Sequence, residues 1–376
     1  MVSSEEAQTS ASYDHAGSRP LQVGQEAARD DVLARLADIC KVRGIDGTPT
    51  RLGSLLGCVE DDMLIIDAAL ELVGEGGSRE LPVEKSVRHL LRLKGKRLRP
   101  MCVALAARVG QGFSDAAREI AISAELVHAA TLLHDDVVDL GDKRRGEPTA
   151  RLVYGNAASI FGGDWLLVEA LRRIQSTKVA GVIEHVLEVL REMLAAESLQ
   201  LACRGRFDPS LRVYMRIVEG KTASLFRWAL SSGGRAGGLP EDSCRALASY
   251  GDKLGVAFQI IDDLLDVAGD AAALGKSVYS DLREGKTTYP LLVALEREPK
   301  LIATVRAACE AEDDERLASA GAAVSEALAR TGAIEEARAF ASKLSAQAVA
   351  SLSELPACVA RDALEYTAIE LVARGK

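Results

Sequence analysis

Asp135, Asp136 and Asp139 stand in HAATLLHDDVVD (128–139), and Asp262, Asp263 and Asp266 in FQIIDDLLD (258–266). Both segments carry DDxxD, and both follow an apolar run with helical spacing, AISAELVHAATLL and LGVAFQII. On a 3.6-residue helix His128, Thr131, Asp135 and Asp139 fall in one stripe, and Gln259, Asp262 and Asp266 in another. Asp135 and Asp139 are four apart, where like charges repel by roughly 0.2–0.5 kcal/mol on an isolated helix. Something must offset that cost. Hard divalent cations prefer carboxylate oxygens, and Mg²⁺ commonly takes one or two carboxylates plus substrate phosphates. One acidic pair alone is an ordinary solvated helix end. Two copies, facing across a cavity, would hold Mg²⁺ ions around one diphosphate.

Basic residues follow the same geography. Lys94, Lys96, Arg97 and Arg99 crowd the segment KGKRLRP, with Pro100 suited to the first turn of the next helix. Lys143, Arg144 and Arg145 follow the first acidic motif, and Lys276 and Lys286 follow the second. Guanidinium forks and helix N-termini both favour phosphate. Lys221 and Thr222 lie in GKTASLF on a further helix, where an exposed lysine is an equally good reading. His134 points off the acidic stripe and reads as an orienting or packing residue. His89 and His185 read as surface residues, and Trp165 and Trp228 as core.

The elements that must position these groups are helices. Apolar residues recur at i, i+3, i+4 between sparse prolines, which predicts helices over 24–43, 52–73, 83–93, 98–110, 115–140, 150–174, 180–203, 210–231, 241–267, 288–297, 300–311, 314–331, 333–352 and 357–373. Glycine-rich breaks are expected at 74–77, 141–146, 233–238 and 269–287. Residues 1–30 read as a disordered tail, 31–50 as a helix and linker, and 51–376 as a single all-α domain.

Composition agrees. The 376 residues are 48% hydrophobic but only 4% aromatic, so the core must be built from Ala, Leu, Val and Ile, as close helix packing allows. A formal charge of −9 argues against general nucleic-acid binding and requires any anionic ligand to meet a local basic patch or bound cations. Seven scattered cysteines with no CxxC pair suit reduced thiols in the cytoplasm. The first twenty residues have neither the basic nor the apolar region of a signal peptide, and no apolar run is long enough to span a membrane.

Taken together, LLHDDVVD, FQIIDDLLD and GKRLRP resemble the two aspartate-rich motifs and the isopentenyl-diphosphate motif of the trans-isoprenyl diphosphate synthases, or polyprenyl synthetases. GNAASIFGGDWLL (155–167), GKTASLF (220–226) and EGKTTYPLL (284–292) are similar to family segments too, in the family's order over roughly 51–376. LKGK at 93–96 departs from a more usual GGK but keeps Lys96. The resemblance implies an isoprenoid-synthase helical bundle around a deep cavity, usually a homodimer, that joins isopentenyl diphosphate to an allylic prenyl diphosphate. It implies that Asp135, Asp139 and Asp262, assisted by Asp136, Asp263 and Asp266, hold three Mg²⁺ ions with bound diphosphate. It places isopentenyl diphosphate on Lys96, Arg99, His128 and Arg145. The allylic diphosphate falls to Arg144, Lys221, Thr222, Gln259 and Lys276, with Lys286 a weaker candidate.

Product length is expected to depend on the helix below Asp135, where Thr131, Ala130, Val127 and Ala124 are all small. Short-chain members of the family tend to carry an aromatic residue four or five positions before the first aspartate. A product of C25 or longer is therefore expected, unless Phe161 or Trp165 on a neighbouring helix closes the cavity and leaves C20. A class I terpene cyclase normally lacks the second DDxxD and the GKRLRP-like segment. A non-catalytic subunit of a heteromeric synthase would typically have lost acidic motifs, and all six aspartates are present.

Overall fold

A computed structural model of the chain describes residues 57–75, 81–93, 95–207, 210–268, 279–311 and 313–373. The expected tail, the helix at 24–43, the linker, Lys94 and Lys276 lie outside these residues. Sixteen α-helices are described: α1 (Glu60–Glu71), α2 (Pro82–Arg92), α3 (Leu98–Val109), α4 (Asp115–Val138), α5 (Ala150–Tyr154), α6 (Asn156–Thr177), α7 (Val182–Cys203), α8 (Leu211–Val218), α9 (Ser224–Ala236), α10 (Glu241–Ala268), α11 (Ser280–Arg283), α12 (Tyr289–Arg297), α13 (Ile302–Cys309), α14 (Asp314–Arg330), α15 (Ala333–Ser351) and α16 (Val359–Ala373). The only described strands, β1 (Lys143–Arg144) and β2 (Glu147–Pro148), pair antiparallel in a tiny hairpin after α4. The architecture is all-α, as the periodicity predicts. No described helix is long and apolar enough to cross a membrane.

Helix α4 is central. Its N-cap Ser114 accepts a hydrogen bond from the Ala117 amide at 3.2 Å. Below the acidic end it is buried, with Ala124, Val127, Ala130 and Leu133 in the main apolar cluster. Its closest neighbour is α6. Ser159 donates to the Leu133 carbonyl at 2.8 Å, and a Cβ added to Gly163 would lie 2.2 Å from His134 Nε2, so the segment GNAASIFGGDWLL is built for close helix approach. Helix α10, 28 residues and about 42 Å long, joins this cluster to a second one formed with α8 and α12–α15.

Several sequence expectations need correction. The helix expected over 150–174 is two, because Gly155 breaks it at φ +89. The break expected at 233–238 is present, with Gly237 capping α9 after Ala236, but Gly233 lies inside the helix rather than ending it. Gly233 and Gly237 also serve packing, since an added Cβ would meet the Val103 carbonyl oxygen at 2.5 Å and that of Ala107 at 2.4 Å on α3. Trp228 is core, but Trp165 is 37% exposed, and Phe161 is 58% exposed beside it on the outer face of α6. Neither closes the interior of its own chain.

Gly233→Ala is expected to destabilise the fold by about 1–3 kcal/mol, because backbone rather than a flexible side chain blocks the added methyl. A lower urea midpoint at unchanged m-value checks this; an unaltered midpoint means that α3 and α9 can separate without cost.

Candidate active site

The apolar helices α4 and α10 carry their carboxylates at their ends because burial is favourable until the chain must turn. At the end of α4 the three aspartates take different environments. Asp135 is half-buried and lies 3.5 Å from Lys221 Nζ. Asp139 receives Lys286 Nζ at 2.9 Å and, on its other oxygen, the Arg204 guanidinium. Burial pushes the Asp139 carboxyl up, but Lys286, Lys221 and Arg204 outweigh it and hold it below the ordinary range. Asp136 turns inward, is almost fully buried, and accepts from Arg144 Nε at 2.9 Å and Nη2 at 2.7 Å. Burial raises its pKa despite that guanidinium.

The second motif divides in the same way. Asp262 is half-buried. Asp263 faces inward and accepts three hydrogen bonds, from Tyr214 Oη at 2.8 Å, the Tyr289 amide at 3.0 Å and Gln259 Nε2 at 2.9 Å. Asp266 accepts from the Ser280 amide and hydroxyl, at 3.1 and 2.6 Å, and from the Asp281 amide at 3.2 Å, so it caps α11. Asp263 is thus engaged by protein donors on both oxygens, whereas Asp136 takes Arg144 on Oδ1 alone and its buried Oδ2 has no partner among the described residues.

A π-helical turn at Glu219–Ala223, between α8 and α9, joins the two motifs. Such turns insert one residue into a helix and concentrate at functional sites. Lys221 reaches Asp135 on α4 and also pairs with Glu197 on α7, while the adjacent Thr222 donates to Gln259 Oε1 on α10 at 2.9 Å. Neighbouring residues of one turn therefore touch both motif helices. Gly220 permits this, since an added Cβ would meet the Glu192 carbonyl oxygen of α7 at 2.9 Å.

The cations around His128 form a second group. His128 is half-buried on α4, and its pKa is held well below the usual imidazole value by burial first and then by Arg99, Arg145, Arg144 and Arg97. Arg99 lies over the Phe226 ring at 4.6 Å from its centroid, and its Nε is buried with no protein partner among the described residues. Lys96 is exposed. Arg145 bonds to the Leu93 carbonyl and lies over Gly95, where an added Cβ would come within 2.8 Å of three guanidinium atoms. Arg97, counted in the sequence with the phosphate-facing cations, is instead buried against Glu125 and, at 3.3 Å, Asp67, in a left-handed conformation at φ +49.

Sequence reasoning missed Arg204, Glu197 and Tyr214. Each reaches the site across long sequence separations, and no local spacing marks it. His134 behaves as expected, its Nε2 3.1 Å from the Ile160 carbonyl oxygen. Among the described residues no three His, Cys, Asp or Glu groups converge on one ion position. The donor set nevertheless fits Mg²⁺, which often takes one or two carboxylates and completes its shell with water and substrate phosphates.

The polyprenyl synthetase family model matches residues 81–326, and the chain belongs to that family. Membership makes it a prenyltransferase that synthesises polyprenyl diphosphates. It is 35% identical to heptaprenyl diphosphate synthase component 2 of Geobacillus stearothermophilus over 85% of this chain and 98% of the relative. It is 40% identical to octaprenyl diphosphate synthase of Escherichia coli, over 72% and 83% respectively. A crystal structure of polyprenyl synthase from Caulobacter crescentus, complexed with calcium and isoprenyl diphosphate, superposes with a TM-score of 0.79 at 32% identity, covering 88% of this chain and 99% of that one.

Burial, against three donated hydrogen bonds, pushes Asp263 up to about 6. Its folded pKa lies above the unfolded value, so the stability it contributes is fully present below pH 4 and is lost as pH rises through 6. Without added metal, the loss is expected to reach about 3 kcal/mol. Asp263→Asn should flatten this part of the stability profile in urea titrations between pH 4 and 7; an unchanged slope would assign the pH dependence to another group.

Proposed function

We propose that the chain condenses isopentenyl diphosphate with an allylic prenyl diphosphate, using Mg²⁺, to give an all-trans product of C25 or longer. One observation carries the reading: Lys221 and Thr222, adjacent on the π turn, touch the helices of both DDxxD motifs. That contact supports a single diphosphate site between the motifs. Asp135, Asp139 and Asp262 are the residues to hold the metal, with Asp266 fixing the start of α11 and Asp136 and Asp263 bracing from behind. Arg144, Lys221, Thr222, Gln259 and Lys286 line the allylic side, and the family pattern adds Lys276. Lys96, Arg99, His128 and Arg145 serve isopentenyl diphosphate.

The chemistry follows from charge. Divalent cations, when bound, neutralise the diphosphate as it leaves. Lys221 and Lys286 add positive charge there, so the electron pair of the breaking C–O bond settles on a diphosphate oxygen. The neutral imidazole of His128 and the Arg99 guanidinium hold the second substrate so that its double bond attacks the allylic carbon. Apolar side chains of the core keep water from the carbocation. The released diphosphate takes the proton that restores the double bond.

Helical spacing refines the length argument. Thr131 shares the Asp135 stripe, while Ala130 lies between Ser123 and His134, whose bonds to Ala170 and Ile160 mark the face toward α6. The outward positions of Phe161 and Trp165 favour the longer product. A second copy of the chain is the proposed cover for α6 and α7, where Phe161, Trp165 and Val168 on the first and Leu187, Leu194 and Leu201 on the second are all exposed. The word component in the Geobacillus relative's name makes a different second chain the alternative. Free thiols at six described cysteines suit the cytoplasm.

With Mg²⁺, isopentenyl diphosphate and farnesyl diphosphate, chromatography should show prenyl diphosphates of C25 or longer; no elongated product excludes the reading. Asp135→Ala and Asp262→Ala should each lower kcat by about 100-fold or more with the fold retained by circular dichroism. Ala130→Phe or Thr131→Phe should shorten the product, and unchanged length in both moves the floor away from α4. Leu194→Asp should convert a dimer to a monomer in light scattering; a monomeric parent protein points to the heteromer.

A further inference from the structure

Asp139 receives two cations from two different loops, and the loops are tied to each other. Arg204 caps the C-terminus of α7, and its guanidinium reaches Asp139 Oδ1 and, at 3.4 Å, the Val138 carbonyl oxygen. Lys286 approaches Oδ2 from the loop between α11 and α12. The Gly205 amide donates to the Gly285 carbonyl at 2.9 Å, joining these loops directly beside the two cations. Both glycines have positive φ, +71 and +69. An added Cβ on Gly285 would fall 2.9 Å from the Gly205 nitrogen and 3.3 Å from Arg204 Cγ, so the contact admits no side chain. Buried Phe207 and Leu282 anchor the two loops in the second apolar cluster.

Lys286 divides its charge between Asp139 and Glu284, whereas Arg204 has Asp139 as its one carboxylate partner among the described residues. Arg204 has five N–H donors, of which Asp139 and Val138 engage two. We infer that Arg204 is an additional diphosphate-binding residue on the allylic side, held beside Lys286 by the Gly205–Gly285 clasp. When divalent cations occupy the carboxylates, the guanidinium turns from Asp139 to the phosphate oxygens, a planar fork suited to that geometry. The inference rests on the proposed synthase reading and adds a residue that belongs to neither DDxxD motif nor to the basic segments around them.

Calorimetry with inorganic pyrophosphate and Mg²⁺ tests it without turnover. Arg204→Gln should weaken pyrophosphate binding about tenfold. It should raise KM for the allylic diphosphate similarly while leaving KM for isopentenyl diphosphate within about twofold, and Arg204→Lys should recover part of the loss. Arg206→Gln, on the same loop and exposed, is the control and should bind normally. Unchanged pyrophosphate affinity with a lowered melting temperature would overturn the inference and leave Arg204 as a helix cap. If the Gln variant does not fold, the Lys variant decides on the same two readouts, since wild-type affinity and KM there also overturn it. A parent protein that binds pyrophosphate but makes no prenyl diphosphate would remove the synthase reading while leaving the binding role of Arg204 measurable.

Discussion

Carboxylates four residues apart on a helix repel weakly in water and more strongly as the surroundings lose water. Here that repulsion is set at the ends of two buried helices, and the rest of the site is arranged around it. Lys221 lies against Asp135, Arg144 against Asp136, and Arg204 and Lys286 against Asp139. Each cation comes from a different place along the chain, so the acidic end of α4 draws the π turn, the hairpin after α4, the end of α7 and the loop before α12 to one point. The fold closes around a charge problem that the apolar core alone would not solve.

That arrangement separates motif residues by environment in a way their letters do not. In each DDxxD the middle aspartate is buried and bound by protein donors, whereas the first is half-buried. Asp263 holds Tyr214, Tyr289 and Gln259 together, and Gln259 in turn orients Thr222. A carboxylate facing inward thereby fixes groups facing outward.

Helix order and both acidic stripes were legible in the sequence, because a 3.6-residue period and burial of one face act over a few neighbouring residues, whereas helix number was not, since Gly155 splits one expected helix in two. The break expected at 233–238 is there, but α9 runs into it as far as Ala236, because glycine has two uses, ending a helix or letting two helices touch, and only Val103 and Ala107 on α3 reveal that Gly233 and Gly237 allow the second. Trp165 failed for a related reason: size and apolarity favour the interior, but its position on α6 faces outward. Arg97 and Arg204 show the limit most clearly. The first sits in a basic run yet serves an internal ion pair, and the second sits in no run yet reaches Asp139 from 65 residues away. Pairings made by tertiary folding leave no periodic trace.

The exposed leucines of α7 carry one further consequence. Leu187, Leu194 and Leu201 are spaced by seven, and seven residues on a straight helix fall about 20° short of two full turns. The three side chains therefore trace a slow spiral rather than a line parallel to the axis. A straight helix laid alongside would meet one end of the row and part from the other, whereas one inclined by about 20° follows all three. The row of leucines thus specifies a crossing angle as well as an apolar surface.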